Sequence, residues 1–194
     1  MKILVINGTQ TKGIKPIGKL NNSLSEISKQ VLTELGHEVT ETIVEQGYDP
    51  EIEADKFIAS DVIIFHFPIW WFGQPWTVKK YIDEVYTVPF KFYQPGTRNP
   101  SNPNPNIYGK SGFLQNKRVM INTTQAAPLE AYTNPTLFME GHLIDELLRP
   151  IYLQNKFVGI NDFIPGFHIY DVYVDTNIKL KIDEYKEHLK KYFN

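Results

Sequence analysis

A chain of 194 residues can bury most of the surface its unfolded form exposes, and at 42% hydrophobic and 22% charged it has an ordinary globular composition. Its 20 basic and 22 acidic residues leave a formal net charge of -2, without the clustered Lys/Arg that a nucleic acid or an anionic membrane would need. The absence of cysteine excludes disulfides, thiolate-bound clusters and a cysteine nucleophile, and suits a reducing compartment, read here as the cytoplasm.

The first apolar run, Ile3 to Ile6, ends at Asn7-Gly8, as a parallel strand buried on both faces does. It is too short for a signal-peptide core, and no other stretch is long and apolar enough to span a bilayer. After a loop of about a dozen residues, Leu24, Ile27, Val31, Leu32 and Leu35 recur at helical spacing, and Gly36 closes that helix. Val39 to Val44 alternates as a second strand, and a short helix is expected from Pro50 to Ala59. Asp61 to Phe65 makes a third strand running into His66-Phe67-Pro68, and Pro75 opens a helix carrying Val78, Ile82 and Val85. Val119-Met120-Ile121 marks a fourth strand. Leu137, Ile144, Leu148 and Ile151 suggest another helix, Phe167 to Val174 a fifth strand, and Ile178, Ile182, Tyr185 and Leu189 the last helix.

Strands alternating with helices imply βαβ units and an open parallel sheet. Five strands in one domain of this size predict a flavodoxin-like three-layer α/β sandwich, strand order 2-1-3-4-5, with ligands outside the carboxyl ends of the strands. The segment from Val88 to Gly109, with five prolines and many Asn, is too long for a plain connection and reads as a lid, a dimer contact or a passive insertion.

Three strand ends then become informative. After the first, the polar loop from Gly8 to Ser23 contains neither GxGxxG nor a Walker motif. It ends at a helix N-terminus, which favours an anion, although Asn21 or Asn22 also reads as a plain N-cap. After the third, Pro68-Ile69-Trp70-Trp71-Phe72-Gly73-Gln74-Pro75-Trp76 carries three Trp within seven residues. A buried loop would strand its own backbone polar groups, so a partly exposed aromatic shelf for a planar heterocycle is the better reading. After the fourth, Thr124-Gln125-Ala126-Ala127 allows close backbone approach to a ligand, and equally a simple turn.

The block from Pro68 to Val85, together with Gly18 to Leu24, Tyr108-Gly109 and Ala127 to Tyr132, resembles the NAD(P)H:quinone oxidoreductases of the flavodoxin-like superfamily, of the bacterial "modulator of drug activity B" type. The likeness covers nearly the whole chain. It implies FAD, with Pro16, Ile17, Gly18, Lys19, Leu20, Asn21, Asn22 and Ser23 at the pyrophosphate. Pro68, Ile69, Trp70 and Trp71 would hold the isoalloxazine edge, Thr124, Gln125, Ala126 and Ala127 its pyrimidine end, and Tyr108 a further contact. It also implies NAD(P)H as co-substrate, a quinone acceptor and a homodimer. One departure is plain: Gln125-Ala126 stands where the family has a Trp-Asn pair, so ring contacts there are expected from backbone alone.

Flavin carries such chemistry by hydride transfer at N5, and the protein supplies orientation and electrostatics. One open flavin face predicts a ping-pong cycle, since each substrate needs its reacting atom about 3–3.5 Å from N5. For the proton a quinone needs, Tyr132 is the first candidate, then His66 and His142, each equally readable as a packed or internally satisfied group. A flavodoxin-type electron carrier and a non-enzymatic redox-sensing flavoprotein are the rival readings. A response-regulator receiver is excluded by the lack of acidic residues after the first strand.

Overall fold

The computed structural model describes residues 1–10, 18–174 and 177–194. Its strands are β1 (Lys2–Asn7), β2 (Glu38–Ile43), β3 (Val62–Pro68), β4 (Arg118–Thr124), β5 (Asp162–Ile164) and β6 (His168–Ile169). The sheet runs β2-β1-β3-β4-β5 with every pairing parallel, and β6 pairs with β4 beyond β5. The long helices are α1 (Lys19–Glu34), α2 (Pro50–Ala59), α3 (Trp76–Tyr86), α6 (Arg149–Phe157) and α7 (Ile178–Phe193); α4 (Leu129–Thr133) and α5 (Ile144–Leu147) are short.

The central strands are apolar on both faces because helices cover both. Leu4, Ile6, Ile63, Phe65, Val119 and Ile121 pack with Phe57 of α2, with Val78, Tyr81 and Val85 of α3, and with Ile151 of α6. Ile3, Val5, Val62, Ile64 and Met120 face Leu24, Val31 and Leu32 of α1 and Tyr185, Leu189 and Phe193 of α7. The expected flavodoxin-like three-layer sandwich is therefore present. At the C-terminus of α1, Gly36 takes φ +83° and donates its N–H to the Thr33 carbonyl while His37 donates to Leu32, the paired bonds of a Schellman cap. Gly8, at the end of β1, passes so close to α3 that a Cβ there would lie 2.2 Å from Val78 Cγ2.

Two expected elements differ. The fifth strand is Asp162–Ile164, and of the stretch from Phe167 to Val174 only His168–Ile169 joins the sheet. Pro165 has no N–H to give a ladder. A Cβ on Gly166 would lie 2.0 Å from the Ile121 carbonyl, so the chain crosses β4 too closely to continue as a regular strand. Nor does one helix unite Leu137 with Ile151. Gly141 holds φ +84°, Leu137 lies in the turn before it, and helix begins only at Ile144.

The segment from Val88 to Gly109 is held at one end by Phe92, which is fully buried against Phe57 and Tyr86. A 3₁₀ turn at Pro105–Ile107 precedes Tyr108, whose ring lies 5.7 Å from Phe157.

A row of polar residues crosses the sheet where its central strands approach their ends. Asn7, His66 and Asn122 are aligned in register, all on the α1/α7 face. Asn7 Nδ2 donates to Asn22 Oδ1 of α1 at 2.9 Å. His66 Nε2 lies 2.9 Å from Ser28 Oγ and 3.3 Å from the Tyr185 hydroxyl. Asn122 donates to that hydroxyl at 3.0 Å and accepts from the Phe167 N–H at 2.8 Å.

Burial pushes the His66 imidazole down to about 3, and burial also lowers His168 to about 4. Both values lie below that of an unfolded histidine, so the unfolded chain binds protons that the native state refuses. The resulting stability is present above pH 6.5 and is lost as pH falls toward these values. The unfolding free energy from urea titrations should therefore fall by up to ~1.4 kcal/mol for each pH unit below about 6.5 on account of His66 alone. His66→Gln should flatten that slope. An unchanged slope would mean that His66 is not held neutral by burial.

Candidate functional site

Beyond that polar row the ends of β3 and β4 and the start of α1 enclose a cavity of about 270 Å³. Its walls come from Gly18, Lys19, Leu20 and Asn21, from Pro68, Ile69 and Trp70, and from Thr124, Gln125 and Ala126. All three segments picked out in the sequence converge here, as the shared parallel register requires: Pro68 pairs with Thr124 at the end of the β3–β4 ladder. The Ile69 N–H then donates to the Thr124 carbonyl at 2.8 Å, carrying the link one residue past the strands. Asn21 Nδ2 donates to Thr124 Oγ1 at 2.7 Å, tying the first turn of α1 to the end of β4.

None of the other expected residues that the structure describes lines this cavity. Pro16 and Ile17 are outside the described residues. Asn22 is engaged with Asn7, and the exposed Ser23 donates its hydroxyl to the Lys19 carbonyl. Ala127 packs against the core rather than lining the cavity. Trp71 is 96% exposed and is not part of the wall, and Tyr108, 71% exposed, sits with Phe157 on another surface. The shelf on this chain is thus Pro68, Ile69 and Trp70 alone.

Tyr132 does not line the cavity. It is buried behind Gln125, to whose Oε1 its hydroxyl donates at 2.5 Å, so it meets the site through that amide. Among the other proton candidates, His66 is sealed in the polar row, while the exposed His142 pairs with Glu146 at 2.8 Å. Three wall residues escaped sequence reading: Val172, Tyr173 and Ile178. They enter because the chain leaves the sheet after β6 and folds back along β4, Val172 donating its N–H to the Gln125 carbonyl. No local pattern marks that return.

Two buried polar atoms of wall residues, Asn21 Oδ1 and Gln125 Nε2, have no partner among the described residues. An unpaired buried donor or acceptor costs on the order of 1–3 kcal/mol, so this cavity suits a polar group that supplies the missing partners. Its aromatic and aliphatic walls suit a flat ring. Among the described residues no group of acidic or imidazole side chains could hold a metal ion.

Beside the cavity the aromatic segment forms a two-residue hairpin. Trp70 and Gly73 exchange backbone hydrogen bonds at 2.9 and 3.1 Å, and the central residues, Trp71 and Phe72, hold φ of 47° and 64°. A turn with both central φ positive ordinarily takes Asn and Gly. Two bulky aromatics in its place cost roughly 1–3 kcal/mol each. Phe72 gains a stack on Phe138, ring centroids 5.5 Å apart, but Trp71 gains no burial at all.

Residues 1–193 match the flavodoxin-like fold family. The chain belongs to that family. It is 40% identical, over the full length of both chains, to the NADPH:quinone oxidoreductase MdaB of Haemophilus influenzae. The resemblance to the modulator of drug activity B type, drawn from the block at Pro68 to Val85 with Gly18 to Leu24, Tyr108-Gly109 and Ala127 to Tyr132, therefore holds across the whole sequence. Among solved structures, a Klebsiella pneumoniae protein provisionally titled a quinone reductase superposes with a TM-score of 0.79 at 24% identity, covering 100% of this chain and 85% of its own. The general stress protein 14 of Treponema denticola, solved in complex with FMN, gives 0.67 at 18% identity, covering 98% and 97%. At those identities both likenesses speak for the fold alone.

The strained turn makes a direct test. Asn tolerates positive φ, and Trp71 has no packing to lose, so Trp71→Asn should raise the stability of the cofactor-free protein by about 0.5–1 kcal/mol. Chemical denaturation with an unchanged m-value would read this; a loss of stability would show that Trp71 packs after all.

Proposed function

We propose that this oxidoreductase binds FAD at the cavity and passes two electrons from NADPH to a quinone. The observation that carries the reading is the meeting of three strand-end segments around a pocket with a ring-sized apolar wall and two unsatisfied buried polar atoms. The full-length relationship to a named NADPH:quinone oxidoreductase supports the activity, and an FMN complex in a structural neighbour supports a flavin.

When bound, the flavin supplies hydride chemistry at N5. The chain's own residues position it. Pro68, Ile69 and Trp70 would hold one face of the ring, leaving the other for substrates. Gly18, Lys19 and Asn21 bring the start of α1, a 16-residue helix with no acidic residue in its first turn, to the phosphate side, where its N–H groups favour an anion. Asn22, Ser23, Pro16 and Ile17 belong to the same expected cradle. Thr124, Gln125 and Ala126 present their polar groups to the pyrimidine end. With one face open, NADPH and quinone take turns at it in a ping-pong cycle.

The second copy of a homodimer completes the acceptor side. Trp71 and Phe138, on either side of Phe72, are exposed aromatics that a partner chain would cover, and the segment from Val88 to Gly109, with Tyr108, supplies the contact. A cytoplasmic setting accords with the lack of cysteine, and among the described residues no helix is long and apolar enough to cross a membrane.

Acid extraction followed by chromatography tests the cofactor, and steady-state turnover of NADPH with menadione tests the activity. The expected outcome is FAD at one per chain and parallel double-reciprocal lines. Recovery of FMN alone would remove FAD, and intersecting lines would remove the alternation. Trp70→Ala should weaken flavin binding by about 1–3 kcal/mol, as loss of a half-buried aromatic wall does, with the fold retained in circular dichroism. Unchanged affinity would take Trp70 out of the shelf.

A further inference from the structure

We infer that Gln125, held in place by Tyr132, donates a hydrogen bond from its side-chain amide Nε2 to a carbonyl oxygen of the planar cofactor, and thereby sets that cofactor's affinity and reduction potential. The inference rests on the flavin reading above and names the polar contact that reading leaves open at this end of the cavity.

The bonds around Gln125 leave little choice. Its backbone N–H donates to the Ile169 carbonyl at 2.9 Å, and its carbonyl accepts from the Val172 N–H at 3.1 Å. Its one backbone donor is thus spent on joining β4 to β6, so a backbone N–H contact to a ring oxygen, expected from the sequence, is not available at this residue. The side chain remains. Gln125 is only 4% exposed although it lines the cavity. Its Oε1 accepts from the Tyr132 hydroxyl at 2.5 Å, while Nε2 is buried and has no partner among the described residues.

The phenol decides which way the amide faces. Tyr132 is buried, its ring edge-to-face with Tyr170 at 5.5 Å, and burial raises its hydroxyl above the ordinary phenol value. It therefore stays protonated and needs an acceptor, and Oε1 of Gln125 is the one it has. An amide fixed through its oxygen presents two N–H donors at its other end. Buried donors without acceptors are rare in native proteins because each costs about what a lost hydrogen bond does. Gln125 lines the cavity, and a small rotation of its amide that brings Nε2 to the wall would let a ring carbonyl entering there relieve that cost. Tyr132 is then a positioning residue, not the direct proton donor expected from the sequence. A donor at the pyrimidine end binds more strongly as negative charge gathers there on reduction, so it favours the reduced ring.

The test uses the full chain loaded with FAD labelled with carbon-13 at C2 and C4, in wild type, Q125M, Y132F and the double variant. Three quantities are read: FAD dissociation constant by fluorescence titration, midpoint potential, and the labelled carbon resonances. Q125M should bind FAD about tenfold more weakly, have a more negative potential, and move one carbonyl carbon upfield. Y132F should shift all three the same way by less, and the double variant should not exceed Q125M, because both changes act through one amide. Q125E, which puts an acceptor where the donor was, should bind more weakly still, and it decides the matter if the Met variant fails to fold. The inference is overturned if Q125M keeps wild-type affinity and resonances, or if the Tyr132 and Gln125 effects simply add. If wild type takes up no flavin in the same titration, the parent reading has failed instead, and the inference falls with it.

Discussion

The parallel register of β1, β3 and β4 is the constraint on which the rest of this structure depends. It lines up Asn7, His66 and Asn122 across three strands in a layer sealed from water. Buried polar groups must find partners, and here the partners lie on Asn22 and Ser28 of α1 and on Tyr185 of α7. The row therefore fixes the two helices of one face against the sheet at a defined height. Apolar side chains at these positions would bury as well but would not specify which residue of α1 sits over which strand.

That height brings the first turn of α1 to the same level as the ends of β3 and β4. Asn21 reaches Thr124, Ile69 reaches the Thr124 carbonyl, and the cavity forms between them. Asn122 extends the same layer to the Phe167 backbone, which delivers β6 alongside β4 and sends Val172 and Tyr173 to the remaining wall. The pocket is thus assembled from elements far apart in sequence by several hydrogen bonds at one level of the sheet.

The aromatic hairpin beside it follows the opposite logic. Trp71 and Phe72 occupy backbone positions suited to Asn and Gly, and Trp71 stands almost wholly in solvent. Folding gains only the Phe72–Phe138 stack from that arrangement. A strained turn displaying an exposed indole next to a ring-sized cavity fits the proposed function, in which a second chain and a flat acceptor supply the contacts that a single copy lacks.

Much of this was legible in the sequence, for reasons that differ by element. Strands buried on both faces leave continuous apolar runs, so Ile3 to Ile6, Ile63 to Phe65 and Val119 to Ile121 announce the core of the sheet. The periodicity of α1, α3 and α7 does the same for the layers around it. Once the strand order follows from alternation, the residues after β1, β3 and β4 must meet at one edge, which is why Gly18 to Asn21, Pro68 to Trp70 and Thr124 to Ala126 could be picked out together. Tertiary structure alone decided the rest. The close passage of Gly166 over the Ile121 carbonyl separates β5 from β6, and no local pattern records a contact between residues so far apart. It placed Trp71 in solvent and Trp70 in the wall, although the two are adjacent and identical. It also spent the backbone N–H of Gln125 on β6 and the hydroxyl of Tyr132 on the Gln125 amide. Sequence determines which hydrogen-bonding groups a site possesses; only the folded chain decides which of them are already taken.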